Sequence, residues 1–198
     1  MANNENGNGK VKIFNVRLAF ANVFKARSFK DDPNQEPKYT CSFLIPKDTP
    51  EGKATIQAVK DAMKGVYDAQ WPKNGPKLKP NQVCLRDGDL ETYEGFPGHM
   101  FVATSSITAP KVVDRDLSKL TEADDKVYSG CIVNAVLRLW AQDNNYGSRI
   151  NCTVEAIQFV APGQRVGGAQ PVDPMQEFEA LDGDTGSGFS NIEADVPF

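Results

Sequence analysis

The chain has 198 residues, enough for one domain with tails; 40% are apolar, enough for a core, and 16 glycines and 13 prolines predict many turns. No run approaches 18 apolar residues, so no membrane span is expected, and the opening "MANNENGNGK" lacks the apolar stretch of a secretory signal and reads as a disordered arm over 1–9. The net charge of −4 hides a split: residues 173–198 hold seven acids and no Lys or Arg, so the rest has 22 basic against 19 acidic residues, with 15 against 8 in residues 1–86.

In chain order, "KVKIFNVRLAFANVF" is rich in β-branched and aromatic residues and predicts a long, bent first strand over 10–24. Residues 25–38 carry the charge, Asp and Pro of a loop. "YTCSFLIP" puts Tyr39, Cys41, Phe43 and Ile45 on one face of a second strand. One helix follows. Thr49 can cap it, Pro50 suits its first turn, and Glu51 complements the positive end. Ile56, Val59, Met63, Val66 and Tyr67 recur at helical spacing, and "WPKNGPKLKP" forbids continuation. Shorter strands are expected at 82–92 and 99–109, with an irregular charged insertion at 110–128.

The strongest strand signals are 130–142 and 148–160, with "DNNYG" between them as a hairpin turn. Val133, Ala135, Leu137 and Leu139 face one way. Asn134, Arg138 and Trp140 face the other, with Ile132 and Val136. In the partner strand Ile150, Cys152, Val154 and Ala156 alternate against Asn151, Thr153 and Glu155. Residues 171–198 are Gly/Ser/Asp-rich, a composition that cannot bury enough surface to fold. The prediction is a mainly β domain over 10–170: a closed antiparallel barrel of five or six strands, one middle helix and a disordered acidic C-terminal tail.

No catalytic constellation emerges. Cys41, Cys84, Cys131 and Cys152 lack metal spacing and read as small buried hydrophobes, and His99 is the only histidine, so neither zinc nor another metal is expected. "GQRVGG" has neither the spacing nor the strand-to-helix setting of a phosphate loop. Asp87, Asp89 and Glu91 alternate, and a solvated turn or edge explains them better than a divalent ion. The chain reads as a non-enzyme without cofactors.

What remains is aromatic residues interleaved with cations: Lys25, Arg27, Phe29, Lys30, Lys38 and Tyr39 around the first loop; Trp71, Lys73, Lys77 and Lys79 after the helix; Arg138, Trp140, Tyr146 and Arg149 on the hairpin. Cations neutralise phosphates and flat rings stack on unpaired bases, so this mixture suits single-stranded nucleic acid. Taken singly, Trp71 also fits a helix-end core anchor, and Tyr39 a ring pointing inward with Cys41 and Phe43.

The chain ends Glu193, Ala194, Asp195, Val196, Pro197, Phe198. An acidic tail closing D-x-P-F resembles that of bacterial single-stranded DNA-binding proteins, whose tip reads Asp-Ile-Pro-Phe; the acid density here is lower. The body instead resembles a phage family of single-stranded DNA-binding proteins, chiefly over "VYSGCIVNAVLRLWAQDNNYGSRINCTVEAIQFVAPGQRVGG" (127–168), with the opening strand and "FLIPK" (43–47). That resemblance implies an OB-fold barrel with additions. It also implies binding of single-stranded DNA without marked sequence preference during replication, recombination or repair, some duplex binding, and action in the cytoplasm of an infected bacterial host. Asp195, Val196, Pro197 and Phe198 would engage phage or host replication proteins, the terminal ring and carboxylate forming a two-part key for an apolar pocket rimmed by cations. An RNA-binding or annealing module, and a virion structural protein with an acidic interaction tail, are the alternatives.

Overall fold

A computed structural model describes residues 3–5, 9–28 and 34–166. Its longest strand, β2 (Lys10–Arg27), follows the first predicted strand and runs three residues past it. β2 bends where its backbone enters the left-handed region, at Asn15 (φ 54°) and Phe20 (φ 51°), and its ladders change register around both sites. On one edge it pairs with β3 (Lys38–Pro46), on the other with the start of β7 (Ile132–Asn144). The segment expected to be a disordered arm supplies β1 (Asn3–Glu5), also paired with β2, and the buried Gly9.

α1 (Pro50–Gln70) starts as read: the Thr49 hydroxyl accepts the Gly52 N–H at 3.1 Å. Ile56, Val59 and Ala62 are buried, with Met63, Val66 and Tyr67 packed beside them; Val59 alone contributes about 1.5–3 kcal/mol of burial. The helix ends at Trp71, whose N–H still reaches the Tyr67 carbonyl.

The stretch 82–92 is less regular than expected. β4 (Leu85–Asp87) gives way to a 3-10 turn over Gly88–Leu90, because the Asp87 carboxylate accepts the Asp89 N–H and closes the turn. β5 (His99–Ser106) pairs with β3 and β4. The charged insertion contains β6 (Lys111–Val113) and a 3-10 turn over Glu122–Asp124. β7 and β8 (Gly147–Ala161) form the predicted hairpin, with the Asn144 side chain accepting the Tyr146 N–H and Gly147 at φ 100°.

Strand order along the sheet is β4-β5-β3-β2-β7-β8-β6, with β1 beside β2. Among the described residues the expected β content and single helix are present, and the expected closed, wholly antiparallel barrel is not. The ladder is open, and β6 joins β8 in parallel. β8 is long enough to divide its edge: its later half pairs with β6, and only its earlier half meets the far side, through an isolated Val83–Ile150 bridge.

Inside the sheet Val133, Ala135, Leu137 and Leu139 are buried against Ile150, Cys152 and Val154. Ala156 departs from its expected face. Val136 opposes Ala156 while Leu137 opposes Val154, so Glu155 is a bulge, and Ile157 and Phe159 take over the buried phase. Among the described residues, no helix is long and apolar enough to cross a membrane.

Candidate nucleic-acid interface

The outward face of β7–β8 carries Arg138 opposite Thr153 and Trp140 opposite Asn151, with Lys10 of β2 next to Arg138. Alternation, which buries Leu137 and Leu139, pushes Trp140 outward, where 42% of it is exposed. Facing this surface are the end of β5 with its following turn (103–109) and the segment 81–84. Between them runs a groove of about 1070 Å³. A second concavity of about 1320 Å³ continues it, sharing Lys38, Ser105, Gln142, Arg149 and Asn151, and reaches Arg27 and Tyr146. The groove therefore runs from Lys10 and Lys111 to the gap between the first loop and the hairpin turn.

Its lining is cationic. Lys10, Lys38, Arg86, Lys111, Arg149 and Arg27 stand against Glu36 and Glu155. Glu155 is neutralised by an ion pair with Arg138. Arg27, Lys38, Lys111 and Arg149 have no ion pair among the described residues. Their charge is free for a ligand. Tyr146, 86% exposed at the hairpin turn, and Trp140 supply the flat surfaces. Asn151 donates to Gln142 at 3.0 Å, so the polar wall between them is already ordered.

Of the residues singled out from sequence, the groove gathers Arg27, Lys38, Trp140, Tyr146 and Arg149. Phe29, Lys30 and the tip Asp195, Val196, Pro197 and Phe198 lie outside the described residues. Lys25 is exposed beyond the groove, Tyr39 is half-buried on β3 outside the groove lining, and Arg138 is held by Glu155 beside the groove. Trp71 packs at a tilt against the Tyr67 ring (centroids 5.1 Å) and donates its indole N–H to Asp143 at 3.0 Å, tying the helix end to the hairpin; this hydrogen bond holds the Asp143 carboxyl below its usual range. Lys73, Lys77 and Lys79 follow it on an exposed segment off the groove.

Sequence reasoning missed Lys10, Arg86, Lys111 and Ile107. Lys10 and Lys111 reach the groove only through strand pairings distant in sequence, a signal that local patterning lacks. Asp87 and Asp89 both engage Lys47, which holds their carboxyls below the ordinary range, and Asp89 also accepts the Gly98 N–H at 2.6 Å. They form a structural clamp. All four cysteines are buried thiols; burial pushes Cys41 up to about 12, so it stays protonated at neutral pH.

Among the described residues the protein is a β domain with one helix and a long, open, cation-lined groove, whose shape and charge suit an extended anionic ligand better than the enclosed pocket of most small-molecule sites does. The family described as "Enterobacter phage Enc34, ssDNA-binding protein" matches residues 9–187, and the chain belongs to that family. A protein designated p50 from Acyrthosiphon pisum secondary endosymbiont phage 1 is 35% identical over 179 residues, covering 87% of this chain and 94% of the relative. Among solved structures, the single-stranded DNA-binding protein of bacteriophage Enc34 in complex with ssDNA superposes with a TM-score of 0.71 at 26% identity, over 80% of this chain and 90% of that one. Another structure of the Enc34 protein gives 0.68 at 25% identity, over 86% and 90%. The bacteriophage T7 single-stranded DNA-binding protein gp2.5 shares the fold, with a TM-score of 0.52 at 15% identity over 87% of this chain and 98% of that one.

Proposed function

We propose that this chain binds single-stranded DNA along the groove, with little sequence preference. Trp140, exposed in the groove with Lys38, Lys111 and Arg149, which have no ion pair among the described residues, carries the reading. Arg27, Lys38, Lys111 and Arg149 take phosphates, and Trp140 and Tyr146 take bases on their ring faces. The Enc34 relative, whose structure is a complex with ssDNA, supports the ligand class. Ring faces and phosphate contacts do not discriminate among bases, which favours sequence-tolerant coating. The groove runs over the outward face of β7–β8 and ends between the first loop and the hairpin turn; OB folds likewise bind oligonucleotides on a strand face and its neighbouring loops, which supports an OB-like reading of this open sheet, bridged at Val83–Ile150.

In this role the protein acts in the cytoplasm of an infected bacterial host, coating strands during phage replication, recombination or repair. Asp195, Val196, Pro197 and Phe198 recruit replication proteins through the terminal ring and carboxylate.

The test is fluorescence anisotropy with labelled oligo(dT) across a salt series, with RNA and duplex in parallel. Binding should weaken steeply, the log–log slope gaining about −0.7 per neutralised phosphate. A slope near zero, or tighter binding of RNA than of DNA, removes the proposal.

A further inference from the structure

Two surfaces lie off the groove, at opposite ends of α1. At its N-terminal end Phe20, Tyr93, Phe96 and Phe101 form an aromatic cluster, with Phe20–Tyr93 centroids 5.0 Å apart and edge to face, and Phe96–Phe101 also at 5.0 Å. Phe96 and Phe101 are buried with Ala19 and Leu44, but Tyr93 is 51% exposed and Phe20 39%. Phe20 presents its ring from a backbone at φ 51°, a conformation costly for a bulky residue. The Tyr93 loop also carries Glu91 and Glu94, neither ion-paired among the described residues. The patch is fixed near the helix start because the Lys47 backbone N–H donates to the Gly98 carbonyl and the Pro46 carbonyl abuts Gly52.

At the other end lies the segment 72–80. Tyr67 donates its hydroxyl to the Pro76 carbonyl at 3.0 Å and Leu78 packs on the core, so the segment is pinned from within. Lys73, Lys77, Lys79, Pro72 and Pro80 face solvent, and the lysines have no ion pair among the described residues. Lys79, at φ −83° and ψ 160°, is extended like a polyproline strand. An aromatic pair beside free carboxylates complements such a segment: rings receive prolines and carboxylates receive lysines.

α1 spans about 32 Å from its 21 residues, so the two surfaces cannot meet within one molecule. Between molecules they can, and a contact joining different patches propagates head to tail, as a ring or an open chain according to the rotation between copies. We propose that the Phe20–Tyr93 patch of one copy docks the 72–80 segment of the next, giving a head-to-tail array. Its use along a DNA strand rests on the function proposed above; the contact itself is between proteins.

A zero-length carbodiimide cross-linker tests it, applied to the full chain mixed with its ¹⁵N-labelled counterpart, with and without an oligo(dT) that holds several copies. Mixed-label peptides joining Glu91 or Glu94 to Lys73, Lys77 or Lys79 are expected, and Tyr93→Ala should cut their yield at least fivefold. On the long oligonucleotide, Lys77→Glu with Lys79→Glu, or Glu91→Lys with Glu94→Lys, should each weaken binding about tenfold. The doubly reversed chain should recover it, and an oligonucleotide that holds one copy should be bound within twofold of the parent throughout. Absence of mixed-label pairs, or no recovery on double reversal, overturns the contact. So does equal loss by the lysine variant on the short oligonucleotide, which would make these lysines phosphate ligands. Mixed-label pairs in a parent that fails to bind DNA would uphold the contact and sink the groove's assignment instead.

Discussion

Side chains on the same outward face have different duties because their neighbours differ. Arg138 and Trp140 alternate together on β7, yet Glu155 holds Arg138 while no hydrogen bond or ring contact holds the Trp140 indole among the described residues. Trp140→Ala should therefore weaken binding by about 1–3 kcal/mol, roughly 5- to 150-fold, leaving the salt slope and the melting temperature nearly unchanged, since a ring releases no counterions. Replacing Arg27, Lys38 and Arg149 together should lower the slope by about 2. Anisotropy and a thermal melt read both. An unfolded Trp140→Ala chain would place the indole in the core. Trp71 illustrates the opposite case: sequence alone left it between ligand contact and anchor, and its bonds to Tyr67 and Asp143 make it part of the frame.

At the scale of elements, the glycine ahead of β2 matters more than its place near the chain start suggests. Gly9 has φ +64°, its carbonyl accepts the Leu139 N–H at 2.7 Å, and an added Cβ would lie 2.1 Å from the Leu139 oxygen and 2.8 Å from Val66. Gly9→Ala should cost about 2–4 kcal/mol by overpacking and strain, measured as a lower urea midpoint at constant m. An unchanged midpoint would mean that this junction between α1 and β7 is loose. The opening polar run conceals this, because close approach across the fold leaves no local pattern. The helix and late hairpin were legible, since capping by Thr49, the apolar spacing from Ile56 and the "DNNYG" turn all act locally. The Glu155 bulge was not: "TVEAIQFV" alternates plausibly in either phase, and pairing with β7 decides where the phase slips. The same holds for the parallel β6–β8 pair, which depends on a long crossover.

For the whole molecule, charge is the largest lever on binding. The full chain is −4, yet the part before residue 173 has 22 basic and 19 acidic residues, so the acidic C-terminal stretch sets the sign of the long-range field. A polyanion approaching the full chain meets net repulsion; without residues 173–198 it meets net attraction. Deleting 173–198 should therefore tighten single-stranded DNA binding, chiefly through a faster on-rate. The gain should be largest at low salt and fade above about 0.15 M, where screening limits charge effects to roughly 8 Å. Stopped-flow association at several salt concentrations measures this directly. Removing Phe198 alone keeps all seven side-chain acids, so DNA affinity should stay within about twofold while binding to replication partners falls. The pair of truncations separates charge from recognition. If the long deletion weakens DNA binding at low salt, the acidic stretch contributes to the DNA site or to the fold, and its effect cannot be one of net charge.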